Sequence, residues 1–138
     1  SDDWGKAQSA HPMAEIKAVR ASGGDAACSP LMADQAVSQL LSQEGLSYED
    51  IDAFEYNEAF AVISADFMGR HPSVKDRLNC FGGALAYGHP YGASGAEIMI
   101  HLMVILKQKN GRYGVAAIPA AGGVAEAILI ENKMGRDA

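Results

Sequence analysis

Basic residues, cysteines and long apolar runs are all scarce in this chain, and each scarcity removes a class of function. Of its 138 residues, 11 are Lys or Arg against 17 Asp or Glu, a net charge of −6 at pH 7. An acidic surface of that kind argues against nucleic acid or an anionic membrane surface as a partner. The two cysteines, Cys28 and Cys80, have no metal-ligand spacing. Nothing suggests export, so they are expected to be free thiols, Cys28 a small buried filler. The longest apolar run, Ile98 to Leu106, is interrupted by His101 and is too short to span a bilayer. No charged segment followed by an apolar one opens the chain, so no secretory signal is expected there. There is no internal repeat and no low-complexity tract. A cytoplasmic domain is the expectation.

Glycine, by contrast, is concentrated. Residues 79–96 read NCFGGALAYGHPYGASGA, with Gly82, Gly83, Gly88, Gly92 and Gly95 inside 14 positions. Such density lets the backbone take left-handed dihedrals and approach a ligand closely. Pro90 fixes its own φ and biases His89 toward an extended conformation, which presents the imidazole at the tip of a stiff turn. A histidine so placed is a candidate for chemistry; taken by itself, a surface histidine in a glycine-rich connection is the plainer reading.

Hydrophobic periodicity organises the rest. Residues 1–12 form a polar lead-in and residues 13–138 the domain. Strands are expected at Ala14 to Ala21, Ile51 to Glu55, Tyr113 to Ile118 and Val124 to Ile130. Ala36, Val37, Leu40 and Leu41 mark one face of a helix from Ala33 to Glu44, with Gly45 as its C-terminal cap. Ser47 and Asp50 carry a turn or cap signal. Glu58 to Met68 is expected to be helical, and so is Ala96 to Leu106, which is apolar nearly all round. A helix without a polar face must be covered on every side, and one sheet covers only one. The chain is therefore not expected to stand as a stable monomer, because the patch would exceed the ~300–600 Å² usual for monomers. The order β-α-β-α-β-α-β-β implies an α/β layer with a mixed sheet.

The motif N-x-x-G-G-A-x-A-x-G-H-P-x-G-x-S-G resembles the C-terminal signature of the thiolases, the acyltransferases that make and break 3-ketoacyl-CoA. Upstream, Asn57-Glu58-Ala59-Phe60 resembles the N-E-A-F motif of that family, and Ala21-Ser22-Gly23-Gly24 is similar to its S-A-G segment beside the pantetheine arm of CoA. The resemblance runs from about Met13 to Glu131. It implies one half of a thiolase-like fold, whose greasy central helix is buried between two such halves. It further implies coenzyme A as substrate or product rather than as cofactor, with no metal, and a hetero-oligomer completed by a thiolase N-terminal half on another chain.

By resemblance, His89 activates the nucleophile and donates to one oxyanion hole, and Asn57 holds a water there. Ser22, Phe60 and Gly88 would line the acyl and pantetheine channel, although a core Phe is as good a reading for Phe60 and a structural carboxylate the better one for Glu58. The nucleophilic cysteine is not among these motifs and would come from the N-terminal half. The C-x-G-G-G-type loop of thiolases, whose cysteine is the second acid/base, is here Ile118-Pro119-Ala120-Ala121-Gly122-Gly123. Pro119 cannot exchange a proton, whereas the backbone N–H of Ala121 can still serve an oxyanion. Cys80 is the remaining thiol near a motif, a substitute acid/base or a packing residue. The expectation is thiolysis or Claisen condensation of acyl-CoA; the alternatives are altered thiolase-like chemistry or a non-catalytic partner subunit.

Overall fold

Four strands form one mixed sheet in this computed structural model, which describes residues 2–8 and 11–134. Ser1, Ser9, Ala10 and residues 135–138, parts of the expected lead-in and domain end, lie outside the described residues. The elements are α1 (Asp2–Ala7), β1 (Ala14–Gly23), α2 (Met32–Glu44), β2 (Ala53–Tyr56), α3 (Ala61–Arg70), α4 (Ala84–Tyr87), α5 (Ser94–Lys109), β3 (Tyr113–Ala120) and β4 (Val124–Asn132). In space the strands run β1-β4-β3-β2. β2 and β3 are parallel, while β4 is antiparallel to both β3 and β1. The C-terminal ends of β1, β2 and β3 therefore share one rim, where α/β sheets place their sites.

The mixed sheet is as expected, with one correction to the order. The strand anticipated between the second and third long helices is reduced to a single parallel bridge, Phe54 to Leu78. Asn79 explains why. Its backbone turns left-handed (φ 43°), and its side chain satisfies the edge of β2 instead, accepting from Tyr56 N at 2.9 Å and donating to Tyr56 O at 3.1 Å.

Burial differs between the two faces. On one, Ala36, Val37, Leu40 and Leu41 of α2 pack with Ile63 and Phe67 of α3 over Val115, Ala117, Ala125, Ala127 and Leu129. Gly45 caps α2 in the left-handed region (φ 68°). Ser47 donates from both its amide and its hydroxyl to Asp50 Oδ2, which closes the turn before β2. Asp34 clasps this layer: its Oδ1 accepts from Tyr48 at 2.9 Å and Tyr56 at 3.2 Å and lies 3.0 Å from His71 Nε2.

On the other face, Ile98, Leu102, Ile105 and Leu106 of α5 cover Ala53, Ala116 and Ile130. As expected for one half alone, a single sheet does not bury this helix all round. Only one side of α5 is covered, and Ile100 on its outer side is 54% exposed. Beyond the helix, Ile16 and Val19 of β1, opposite Ile130 and Ile128, are 61% and 56% exposed. Sheet and helix thus share one continuous apolar surface.

Candidate active site

The helix expected from Glu58 begins only at Ala61, because residues 57–60 are held as a loop. Asn57 N extends the ladder to Ala117 O at 2.9 Å, which fixes Asn57 at the rim, 1% exposed. Glu58 accepts from Ser64 Oγ in the first turns of α3. A Cβ on Gly83 would stand 2.7 Å from Glu58 Cβ, so a glycine is needed for the loop to close over this carboxylate. Glu58 is structural.

His89 hangs over Asn57 from the turn between α4 and α5. Gly88 enters that turn with φ 99°. His89 Nδ1 lies 2.7 Å from Ser94 Oγ, and Ser94 Oγ lies 3.0 Å from Pro90 O. A carbonyl only accepts, so the single hydroxyl proton of Ser94 is committed to Pro90 and Nδ1–H must be the donor to Ser94. This tautomer, assigned from the hydrogen-bond partners, leaves the lone pair of the neutral ring on Nε2, available as a base. The amide nitrogen of Asn57 lies 3.4 Å from both ring nitrogens, longer than an ordinary hydrogen bond. Asn57 Oδ1 is buried with no partner. The start of α5 abuts β3, where a Cβ on Gly95 would meet Ile118 at 3.5 Å.

The remaining expected residues spread along the rim. Pro119 sits in β3 opposite Ala125, and Ala121 is exposed at the β3–β4 turn. That turn is tied down by Gly123, whose N–H donates to Ser29 Oγ at 2.8 Å and whose carbonyl accepts from Gly24 N at 2.7 Å. Ser22, paired with Ala125, lies on the α2 face of the sheet, and its hydroxyl accepts from Gln35 at 2.9 Å. It does not join His89. Phe60 is 64% exposed, which excludes the core reading. Cys28 is half-buried, packed against the α2-side core.

Cys80 is half-buried, and Lys109, the last residue of α5, donates to its sulfur at 3.1 Å. If that thiol only packs against Lys109, Cys80→Ser leaves acyl-enzyme formation and turnover unchanged in a complete enzyme, as steady-state and burst assays would show; a selective loss of turnover would make Cys80 the second acid/base.

Sequence reasoning missed the partner of His89 and a second cluster on the α5 side of the sheet. Ser94 was legible only as the serine of the glycine-rich motif. Glu55, read as the end of a strand, is 0% exposed with neither carboxylate oxygen hydrogen-bonded. His101 Nδ1 lies 3.9 Å from its Oε2. Glu97 Oε2 is buried without a partner as well. Burial pushes the Glu55 carboxyl up to about 8, so it is protonated at neutral pH. Its folded value exceeds its unfolded one, and its contribution to stability is complete below the ordinary carboxylate range and lost as pH rises through about 8. Melting temperature is expected to fall from about pH 5 to about pH 8 and to level off above that, and Glu55→Gln should flatten that slope; an unchanged slope would assign it to other groups.

Comparisons with known proteins bear on the chain as a whole. The family described as thiolase, C-terminal domain, matches residues 10–132. Acetyl-CoA acetyltransferase IA of Candida tropicalis is 41% identical over 97 residues, 70% of this chain and 24% of that protein. The mitochondrial acetyl-CoA acetyltransferase of Rattus norvegicus is 41% identical over 121 residues, 88% of this chain and 28% of that protein. The crystal structure of Acat5 thiolase from Ascaris suum in complex with coenzyme A superposes with a TM-score of 0.89 at 39% identity, over 96% of this chain and 34% of that one. The chain spans about a quarter of the length of the curated relatives it matches.

Proposed function

The chain belongs to the thiolase C-terminal domain family, and we propose that it supplies the histidine side of an acyl-CoA acyltransferase site. The nucleophilic cysteine comes from a thiolase N-terminal half on another chain, in a cytoplasmic hetero-oligomer. Coenzyme A enters and leaves as substrate and product, and no metal takes part.

The observation that carries this reading is the hydrogen-bonded order Pro90 O, Ser94, His89, which frees Nε2 at the rim. Nε2 takes the proton of the cysteine thiol, and the thiolate attacks the acyl-CoA carbonyl. CoA departs as the thiol with that proton, which leaves the acyl group on cysteine. The buried amide of Asn57 orients a water toward the oxyanion, and the N–H of Ala121 serves the second oxyanion. The family resemblance extended to Ser22, Phe60 and Gly88 assigns them to the acyl and pantetheine channel. Thiolysis or condensation follows, with the second proton transfer supplied by the partner half. Pro119 favours a second reading, in which the chemistry departs from ordinary thiolysis at that step.

The uncovered apolar side of α5 and the exposed Ile16 and Val19 support a covering half. The test is to combine this chain with the polypeptide that carries the nucleophile and measure radiolabel transfer from acyl-CoA onto protein. Labelling that needs both chains supports the reading. Full labelling by the other polypeptide alone would overturn it.

A further inference from the structure

A second cluster of titratable side chains is buried on the α5 side of the sheet, around Glu55. Glu55 and Asn57 are two residues apart around the end of β2, and Glu55 points to the α5 side as Asn57 does. Around it stand Glu97 and His101 of α5 and Tyr87 of α4. The rings of Phe81 and Tyr87 lie edge-on to His101 at 6.2 and 5.0 Å. Tyr87 is held above the usual phenol range by burial first, then by Glu55, Glu97 and Glu58, so three carboxyl groups share its surroundings. No lysine or arginine among the described residues is paired with Glu55, Glu97 or Glu58. Both oxygens of Glu55 and one of Glu97 lack any hydrogen bond.

A buried carboxylate without a partner is strongly unfavourable, and one held by a cation with matching donors is not. Burial here arises under a rim of exposed apolar side chains, namely Phe81, Leu85, Tyr87 and Ile100. That is the anatomy of an interface anchor: a charged centre with apolar groups around it that exclude water once a partner covers them. Three orphan acceptor atoms on two carboxylates suit the planar fork of a guanidinium better than the point charge of an ammonium.

We infer that the carboxylate cluster of Glu55 and Glu97 beside Tyr87, buried on the α5 side of the sheet, receives an arginine side chain of the N-terminal half. The inference rests on the function proposed above, since that half is the occupant. It adds a charge-specific key to what is otherwise apolar covering. When the guanidinium enters, Glu55 ionises and releases its proton to solvent, so assembly is accompanied by proton release. Glu55 is two residues from Asn57, whose amide lies 3.4 Å from the His89 ring, which joins a correctly seated partner to a correctly held base.

The experiment measures association of this chain with the nucleophile-bearing polypeptide, by sedimentation at low and high salt, for the parent, the double variant Glu55→Gln/Glu97→Gln, and Glu97→Arg. The double variant should associate at least about tenfold more weakly than the parent, as when one side of a buried charge pair is truncated. Its loss should be visible at both salt concentrations, because a buried pair is poorly screened. Unbound, it should melt no lower than the parent by circular dichroism, since it gives up carboxylates that nothing pairs. Glu97→Arg fills the cluster from within and should block association further. Parent-like association by either variant overturns the inference and leaves the proposed function standing. A parent that does not associate at all overturns both.

Discussion

In the complete assembly, His89→Ala should lower acyl transfer by on the order of 10³-fold or more, with folding retained. The substitution removes the base and one oxyanion donor together, each alone worth about 10²-fold or more. Folding should survive because His89 is half-exposed and hangs from a turn. The backbone of that turn is held independently, by Ala93 N and Ser94 N donating to Pro90 O. Burst labelling with radiolabelled acyl-CoA reports the first half-reaction directly. A rate within about tenfold of the parent would mean that Nε2 takes no proton and that His89 only packs.

Gly123→Ala should be the most damaging single change away from the histidine. A Cβ at this position would lie 2.4 Å from Gly24 O and 2.8 Å from Ala26 N, both backbone atoms that no rotamer can move. The residue also has φ 76°, a region that L side chains rarely adopt. The two costs together are about 2–4 kcal/mol, a fall in melting temperature on the order of 10 °C for a domain of this size. Because Gly123 ties the β3–β4 turn to the loop after β1, the turn bearing Ala121 must move with it. Acyl transfer measured well below the melting point should therefore fall as well. Parent-like melting would show that the turn rearranges freely, and full activity with lowered stability would remove the Ala121 amide from the oxyanion role.

The sequence made the fold legible where periodicity and glycine punctuation agree. α2 is marked by its apolar face and Gly45, and β3 and β4 by alternation around a glycine turn. It was less informative wherever a side chain takes over a backbone role. Asn79 replaces the ladder that would have made a fifth strand, and Glu58 reaches into α3 to keep Asn57–Phe60 out of the helix. At the site, His89 and Asn57 were readable because proline and glycine constrain their neighbourhood. Ser94 was not, since a small hydroxyl near a helix start has many uses, and its partner is set by a turn in three dimensions. Cys80 was readable only as a thiol near Gly82 and Gly83, and its contact with Lys109 at the end of α5 depends on how the helix lies over the sheet. Glu55 was invisible because burial of a carboxylate is decided by what α4 and α5 lay over it.

The asymmetry of the two faces has a consequence in time. The α2 side brings together seventeen buried residues from three strands, two long helices and their connections, closed by the Asp34 clasp, while the α5 side has seven. Most of the chain's cooperative unit is thus finished without help, and the other layer waits. Acquisition of the native backbone can then precede encounter with another polypeptide, so that recognition occurs between preformed surfaces rather than by mutual folding. An unfinished assembly is under those conditions a reservoir of folded, sticky intermediates, whose lifetime is governed by the concentration of the covering half.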